Sequence, residues 1–208
     1  MASATSSTVD DLPGATDVHL RDTAQDLVKI LVTGPFGVGK TTLIRSVSEI
    51  RPLHTEEQLT EASAQVDDLA GVRDKSTTTV AIDFGRISLP GDVVLYLFGT
   101  PGQERFRSLW DDIAYGALGA LVLVDARRID ASFDVLGLVE ETGLPYAVAF
   151  NTFPDAPRHH TPEQVRAALD LEPTTPMVTC DAREANSSID ALLALVQHLI
   201  DHHPPEPR

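Results

Sequence analysis

The 208-residue chain has one cysteine, Cys180, so no disulfide can close within it. That scarcity suits a reducing compartment. Nothing beside Cys180 would activate its thiol, and the residue reads as a small apolar filler. No run of about eighteen apolar residues occurs, which excludes a membrane-spanning helix. Basic residues are few: 16 Lys and Arg against 31 Asp and Glu, for a net charge of −15. Such a surface repels phosphate backbones and anionic lipid, which argues against nucleic-acid binding and direct membrane docking. Solubility is its plain account. The N-terminus lacks a basic-then-apolar signal, and the stretch His202 to Arg208 has no cysteine for prenylation. A cytoplasmic location is expected, with any peripheral membrane attachment made through partners.

Hydrophobic residues make up 42% of the chain, enough for an ordinary core. The length suits one domain with short ends. Residues 1–26, rich in Ser, Thr, Ala and Asp, read as a mobile leader, 27–202 as the folded domain and 203–208 as a tail. Strands are expected at Asp26–Thr33, Val80–Leu89, Val93–Phe98, Ala117–Val124, Pro145–Phe150 and Met177–Thr179. The turn Pro90-Gly91-Asp92 makes the second and third of these a hairpin. Helices are expected at Lys40–Ile50, Glu104–Tyr115, Ile129–Glu141, Pro162–Leu169 and Ser188–Asp201, with Thr161 capping the fourth. The long polar stretch Arg51–Thr78 suggests a short helix over Glu56–Leu69. Alternating strands and helices imply an α/β fold: a mostly parallel six-stranded sheet, one antiparallel edge strand, and helices on both faces.

The segment Gly34-Pro35-Phe36-Gly37-Val38-Gly39-Lys40-Thr41 fits the pattern G-x-x-x-x-G-K-[ST], between a buried strand and a helix. In that setting glycines let backbone N–H groups turn inward around phosphate oxygens, and the helix N-terminus adds the positive end of its dipole. Lys40 is expected on the outer phosphates, the Thr41 hydroxyl on Mg²⁺, and Thr42 beside them. The loop predicts a phosphate-loop nucleotide-binding protein without naming the base.

Further segments resemble the Ras-like GTPases. Gly99-Thr100-Pro101-Gly102-Gln103-Glu104-Arg105-Phe106 looks like switch II, and Thr79-Val80-Ala81-Ile82-Asp83-Phe84 like switch I. Asn151 ends a strand where the guanine-reading segment belongs, and Cys180-Asp181-Ala182-Arg183 looks like the last base-contacting loop. The closer likeness is to the Ras-like members of actinobacterial conservons, which resemble the gliding-motility polarity GTPases; it runs from about Lys29 to Leu199. The resemblance implies GTP and GDP as ligands with Mg²⁺. It implies that Gly102 senses the γ-phosphate, Gln103 orients the attacking water, and Thr79 closes over the metal. It also implies that the Ala182 N–H meets the guanine oxygen. A roadblock-type dimer and a sensor-kinase-like protein are the implied partners.

The sequence departs from the Ras-like pattern in three places. Gly99 stands where an aspartate would hold a Mg²⁺ water, as also happens in the polarity GTPases. Asp83 is then either a borrowed metal carboxylate or a plain strand-edge acid, and the plain reading is favoured. Phe36 fills the loop's third position, often a glycine; its ring either crowds out a partner's arginine finger, which slows hydrolysis, or folds outward onto switch II. Asn151-Thr152-Phe153-Pro154 lacks the lysine and the aspartate of the guanine signature; either Asp155 accepts the base through a shifted loop, or the preference for guanine is weak. Arg73, Arg105 and Arg107 are candidates for an internal finger, with Arg73 preferred. Leu109 and Trp110 are balanced between core packing and a partner surface. A slow GTP-hydrolysing switch is the leading reading. A nucleotide-loaded scaffold without turnover and an ATP-binding phosphate-loop enzyme are the alternatives.

Overall fold

Ile30, Leu31 and Val32 are apolar on both sides of the chain, which demands a strand covered on both faces. Asp26–Thr33 is that strand, β1, at the centre of the sheet. The computed structural model describes residues 26–51, 53–59, 78–102, 109–153 and 160–202. The proposed leader before Asp26, the tail 203–208, Gln103, Asp155 and the three candidate arginines lie outside the described residues.

After β1 the chain runs through α1 (Lys40–Val47), β2 (Leu53–Leu59), β3 (Thr78–Leu89), β4 (Val93–Gly99) and α2 (Trp110–Ala114). It continues through β5 (Gly119–Asp125), a single 3₁₀ turn (Ile129–Ser132), α3 (Phe133–Thr142), β6 (Tyr146–Asn151), α4 (Pro162–Ala168), β7 (Met177–Cys180) and α5 (Ala185–His202). The strand order is β2-β3-β4-β1-β5-β6-β7. β4, β1, β5, β6 and β7 are mutually parallel, and β3 is antiparallel to β4. The six expected strands are all present, with β3 as the antiparallel one.

A seventh strand, β2, extends this edge. Leu53–Leu59 pairs antiparallel with β3 in the register Leu53↔Phe84 to Leu59↔Thr78, where the sequence suggests the start of a helix over Glu56–Leu69. The reason is tertiary: the outer edge of β3 offers a row of unpaired N–H and C=O groups, and pairing there outweighs local helix preference. The rest of that expected helix lies outside the described residues.

Alternation along the strands divides the core. Ile30, Val32, Leu121, Leu123, Ala147 and Ala149 point to a face covered by α1 and α5. Leu31, Val122, Val124, Val148 and Phe150 point to the opposite face, under α2, α3 and α4. Trp110 is 5% exposed and belongs to this second core, so of its two readings the structure supports packing. The α4 N-terminus carries the expected cap: the Gln164 N–H donates to the Thr161 hydroxyl, the Thr161 N–H donates to the Gln164 side chain, and Pro162 starts the helix. The parallel strands therefore end together at one edge of the sheet, the end where ligands of open α/β sheets bind.

Candidate functional site

At that edge β1 passes through residues 34–39 into α1. Gly34 has φ 142°, and a Cβ there would lie 2.5 Å from the Leu123 carbonyl oxygen. Gly39 has φ 110° and presses on Asn151, which a Cβ would approach to 2.9 Å. Only glycine fits either place. Gly39 caps α1 with no side-chain bond, and the first turn carries no acid, so its N–H groups and dipole present a positive end. Lys40 bends back over the loop, its Nζ donating to the carbonyls of Gly34 at 2.7 Å and Pro35 at 3.0 Å. Burial lowers its pKa to about 8, against the opposing pull of the Asp83 carboxylate. An anion in the loop would favour the charged form.

The Thr41 hydroxyl donates to Asp83 Oδ2. Asp83 is 8% exposed, which corrects the reading of it as a solvated strand-edge acid. It stands opposite Gly99 in the β3–β4 ladder, and a Cβ on Gly99 would lie 3.1 Å from Asp83 Cβ and 3.4 Å from its Oδ2. A carboxylate is therefore present beside the position where the Ras-like aspartate is missing, but it comes from the neighbouring strand. Thr41 and Asp83 together make a pair of hard oxygen donors that fits Mg²⁺. Among the described residues no group of three His, Cys, Asp or Glu could hold a metal by itself, so phosphate oxygens and water must complete any such site.

Thr79 sits within β3, paired with Gln58 and four residues before Asp83. At roughly 3.3 Å per residue its backbone is about 13 Å from Asp83 along the strand. The structure thus joins Thr41 to Asp83 and leaves Thr79 apart from both.

Gly102 comes to the loop from the other side. Thr100 anchors the exit of β4, its N–H donating to Val32 O at 3.0 Å and its hydroxyl to the Thr33 hydroxyl at 2.8 Å. Gly102 is thereby laid against the loop: a Cβ on it would lie 2.6 Å from Lys40 Nζ, 2.8 Å from Phe36 N and 2.9 Å from Pro35 C.

At the far end of the loop Asn151 is 2% exposed. Its Nδ2 donates to Val38 O at 2.7 Å, and its Oδ1 accepts the Ala182 N–H at 3.0 Å. Asn151 thus ties the phosphate loop to the loop after β7, and it engages the Ala182 N–H that the Ras-like resemblance assigns to the guanine oxygen. Cys180 is buried, burial pushes its thiol up, and its carbonyl accepts the Thr152 N–H at 2.8 Å. Asp181 forms a two-toothed pair with Arg183 at 2.9 and 2.6 Å, which holds its carboxyl below the usual range. Thr42, next to Thr41 on α1, is exposed.

One group was not anticipated. Asp125 ends β5 fully buried and is gripped by Arg127, Nε at 2.9 Å and Nη2 at 2.8 Å. Burial alone would raise the Asp125 carboxyl, but the Arg127 guanidinium and backbone N–H hold it below the usual carboxylate range. Arg127 also lies 3.6 Å over the Phe153 ring centroid. Arg128 Nη2 donates to Phe36 O at 3.2 Å. Phe36 itself is 68% exposed, its ring projecting to solvent. The available signal was an acid followed by two arginines, Asp125-Ala126-Arg127-Arg128, at the carboxyl end of an apolar strand.

Several known proteins are similar to this chain. The family described as conserved hypothetical ATP binding protein matches residues 32–202. An uncharacterized protein of Methanocaldococcus jannaschii is 32% identical over 61% of this chain and 71% of its own length. The Ras-related protein Rab-4A of Danio rerio is 32% identical over 51% of this chain, and the chain spans 42% of that relative's length. The fold resembles the G domain of the T. maritima FeoB iron transporter, with a TM-score of 0.57 and 16% identity over 83% of this chain and 98% of that one. It also resembles the cytosolic domain of L. pneumophila FeoB, with a TM-score of 0.57 and 20% identity over 83% of this chain and 68% of that one. Among the described residues no helix is long and apolar enough to cross a membrane.

Proposed function

The chain belongs to the family described as conserved hypothetical ATP binding protein and is a phosphate-loop, GTPase-like nucleotide-binding domain; from that premise we propose that it works as a GTP/GDP switch with slow, Mg²⁺-dependent hydrolysis. The observation that carries the reading is the seat of Gly102 on the phosphate loop, against Phe36 N and Lys40 Nζ. A segment that rests on the loop must shift when an outer phosphate arrives there and settle again when it leaves, and such a displacement is what a partner reads.

Chemistry in such a site is mostly positioning and electrostatics. Lys40 and the loop amides hold the phosphates. Thr41 and Asp83 hold Mg²⁺, which when bound neutralises charge on the phosphates. Gly102 donates its N–H to the outer phosphate, and Gln103 orients water. Thr79 can join the metal only if the start of β3 leaves its pairing with β2. The likeness to the conservon and polarity proteins supports partners of the roadblock and sensor-kinase-like types, working with this chain in a cytoplasmic signalling complex.

A second reading, an ATP-binding enzyme, draws on two observations: the matching family is described as ATP binding, and the Ala182 N–H is engaged by Asn151, which weakens the case for a guanine-reading loop. Calorimetric titration of the stripped protein with GTP, GDP and ATP in Mg²⁺ separates the two. Guanine nucleotides binding at least about tenfold more tightly support the switch, a margin of about 1.4 kcal/mol. Equal or tighter ATP binding sinks it.

A further inference from the structure

The Arg128 contact with the phosphate loop exceeds what structural support alone requires. Arg127 already grips both oxygens of Asp125, at 2.9 and 2.8 Å, while Arg128 Nη2 stands 3.7 Å from Oδ2. Among the described residues one carboxylate stands beside these two guanidiniums, a surplus of positive charge at the loop's shoulder. That surplus lies on the carbonyl of Phe36, the third residue of the loop, beside which Gly102 is also seated. A neutral carbonyl is a weak partner for a guanidinium compared with a phosphate oxygen, which gives shorter, charge-assisted and often paired bonds. The Arg128 side chain is 56% exposed and so keeps the freedom to exchange one for the other. The Phe36 ring, projecting from the same residue, is 68% exposed.

Building on the hydrolysis reading above, we propose that Arg128 is a guanidinium supplied in cis to the outermost phosphate: it turns from the Phe36 carbonyl onto the terminal phosphoryl group and stabilises the charge that develops there. In the reaction the water oxygen bonds to the terminal phosphorus as the bond from phosphorus to the bridging oxygen breaks. The nucleoside diphosphate leaves with the electron pair, and the water proton passes to the released phosphate. Arg128 donates N–H bonds throughout and stays protonated. Its contribution is to the charge on the bridging and terminal oxygens, the term arginine fingers supply in phosphoryl transfer.

The test compares Arg128→Ala and Arg128→Lys with the parent chain in three measurements: GTP and GDP affinity by calorimetry, single-turnover phosphate release, and capture of aluminium fluoride by the GDP–Mg²⁺ form, followed by fluorine NMR. The alanine variant should bind GDP within about twofold of the parent, release phosphate at least about tenfold more slowly and fail to capture aluminium fluoride, with lysine restoring part of both. Parent-like phosphate release and capture in the alanine variant would overturn the inference. So would an equal loss of GTP and GDP affinity together with a lowered melting temperature, which marks a loop tie only. Should the parent bind both nucleotides yet release no phosphate, the hydrolysis reading fails by itself. Affinity then decides the role of Arg128: a loss confined to GTP supports contact with the outer phosphate, and an equal change for both nucleotides refutes it.

Discussion

Asp83 and Gly99 face each other across the β3–β4 ladder, and the absence of a side chain on one makes room for the carboxylate of the other. The acid expected on the switch II strand has in effect crossed to its neighbour, where it accepts the Thr41 hydroxyl. Asp83→Asn should therefore preserve the fold, because the amide oxygen can still accept that bond. It should raise the Mg²⁺ concentration needed for slow GDP release by at least about tenfold, the loss of one anionic oxygen ligand. A returned carboxylate in Asp83→Ala/Gly99→Asp should recover part of the effect. An unchanged Mg²⁺ dependence in Asp83→Asn would remove Asp83 from the metal site.

Asn151 bonds two backbone groups that belong to separate loops, the Val38 carbonyl and the Ala182 N–H. In Asn151→Ala both lose their partner in a buried place, at a cost of about 1–3 kcal/mol for each group left unsatisfied. The expected result is a lower melting temperature and weaker binding of GTP and ATP by similar factors. Thermal unfolding and paired titrations check this. A loss confined to GTP would instead give Asn151 a direct role in reading the base.

The eight-residue phosphate loop, the hairpin and the positions of six strands along the chain were legible because each has a local cause: glycine at forced dihedrals, Pro90-Gly91-Asp92 at a turn, and apolar runs such as Ala117–Val124; the order of the strands in the sheet was not. The β2 pairing was not, since the acidic segment Leu53–Leu59 becomes a strand only because β3 offers it an edge. Asp83 looked like a lone acid because its partners, Thr41 and Gly99, are 42 and 16 positions away in sequence and meet only across the sheet. The same holds for Arg128 and Phe36, 92 positions apart.

Asp125 links pH to stability at the other shoulder of the loop. Its carboxyl is held below the usual range in the folded protein, burial opposing and Arg127 prevailing. The folded state therefore binds this proton less readily than the unfolded chain does. The stabilisation is complete above the ordinary carboxylate pKa and is lost as pH falls through the lowered folded value. In Arg127→Ala burial acts unopposed by the paired bond, and the carboxyl should rise. Arg127→Ala should therefore melt lower than the parent at pH 7, and its melting temperature should fall less between about pH 7 and 3, so that the two curves converge in acid. Superimposable curves would show that the Arg127 pair does not govern acid stability.

The seat of Gly102 makes a sharper demand. A methyl group there would lie 2.8 Å from Phe36 N and 2.9 Å from Pro35 C, both backbone atoms, besides 2.6 Å from Lys40 Nζ. The lysine tip can move aside, but the loop backbone is held by β1 and α1, so the segment after Thr100 must lift instead. Gly102→Ala should leave the core intact and the melting temperature within a few degrees of the parent, since a ΔΔG of about 1 kcal/mol shifts a domain of this size by roughly 2–4 °C. Backbone amides of Gly34–Lys40 and Thr100–Gly102 should exchange faster with deuterium. GTP affinity should drop more than GDP affinity, because the misplaced N–H serves only the outer phosphate. Unchanged exchange with equal affinities would show that this contact is incidental packing, and the switch reading would lose the observation that carries it.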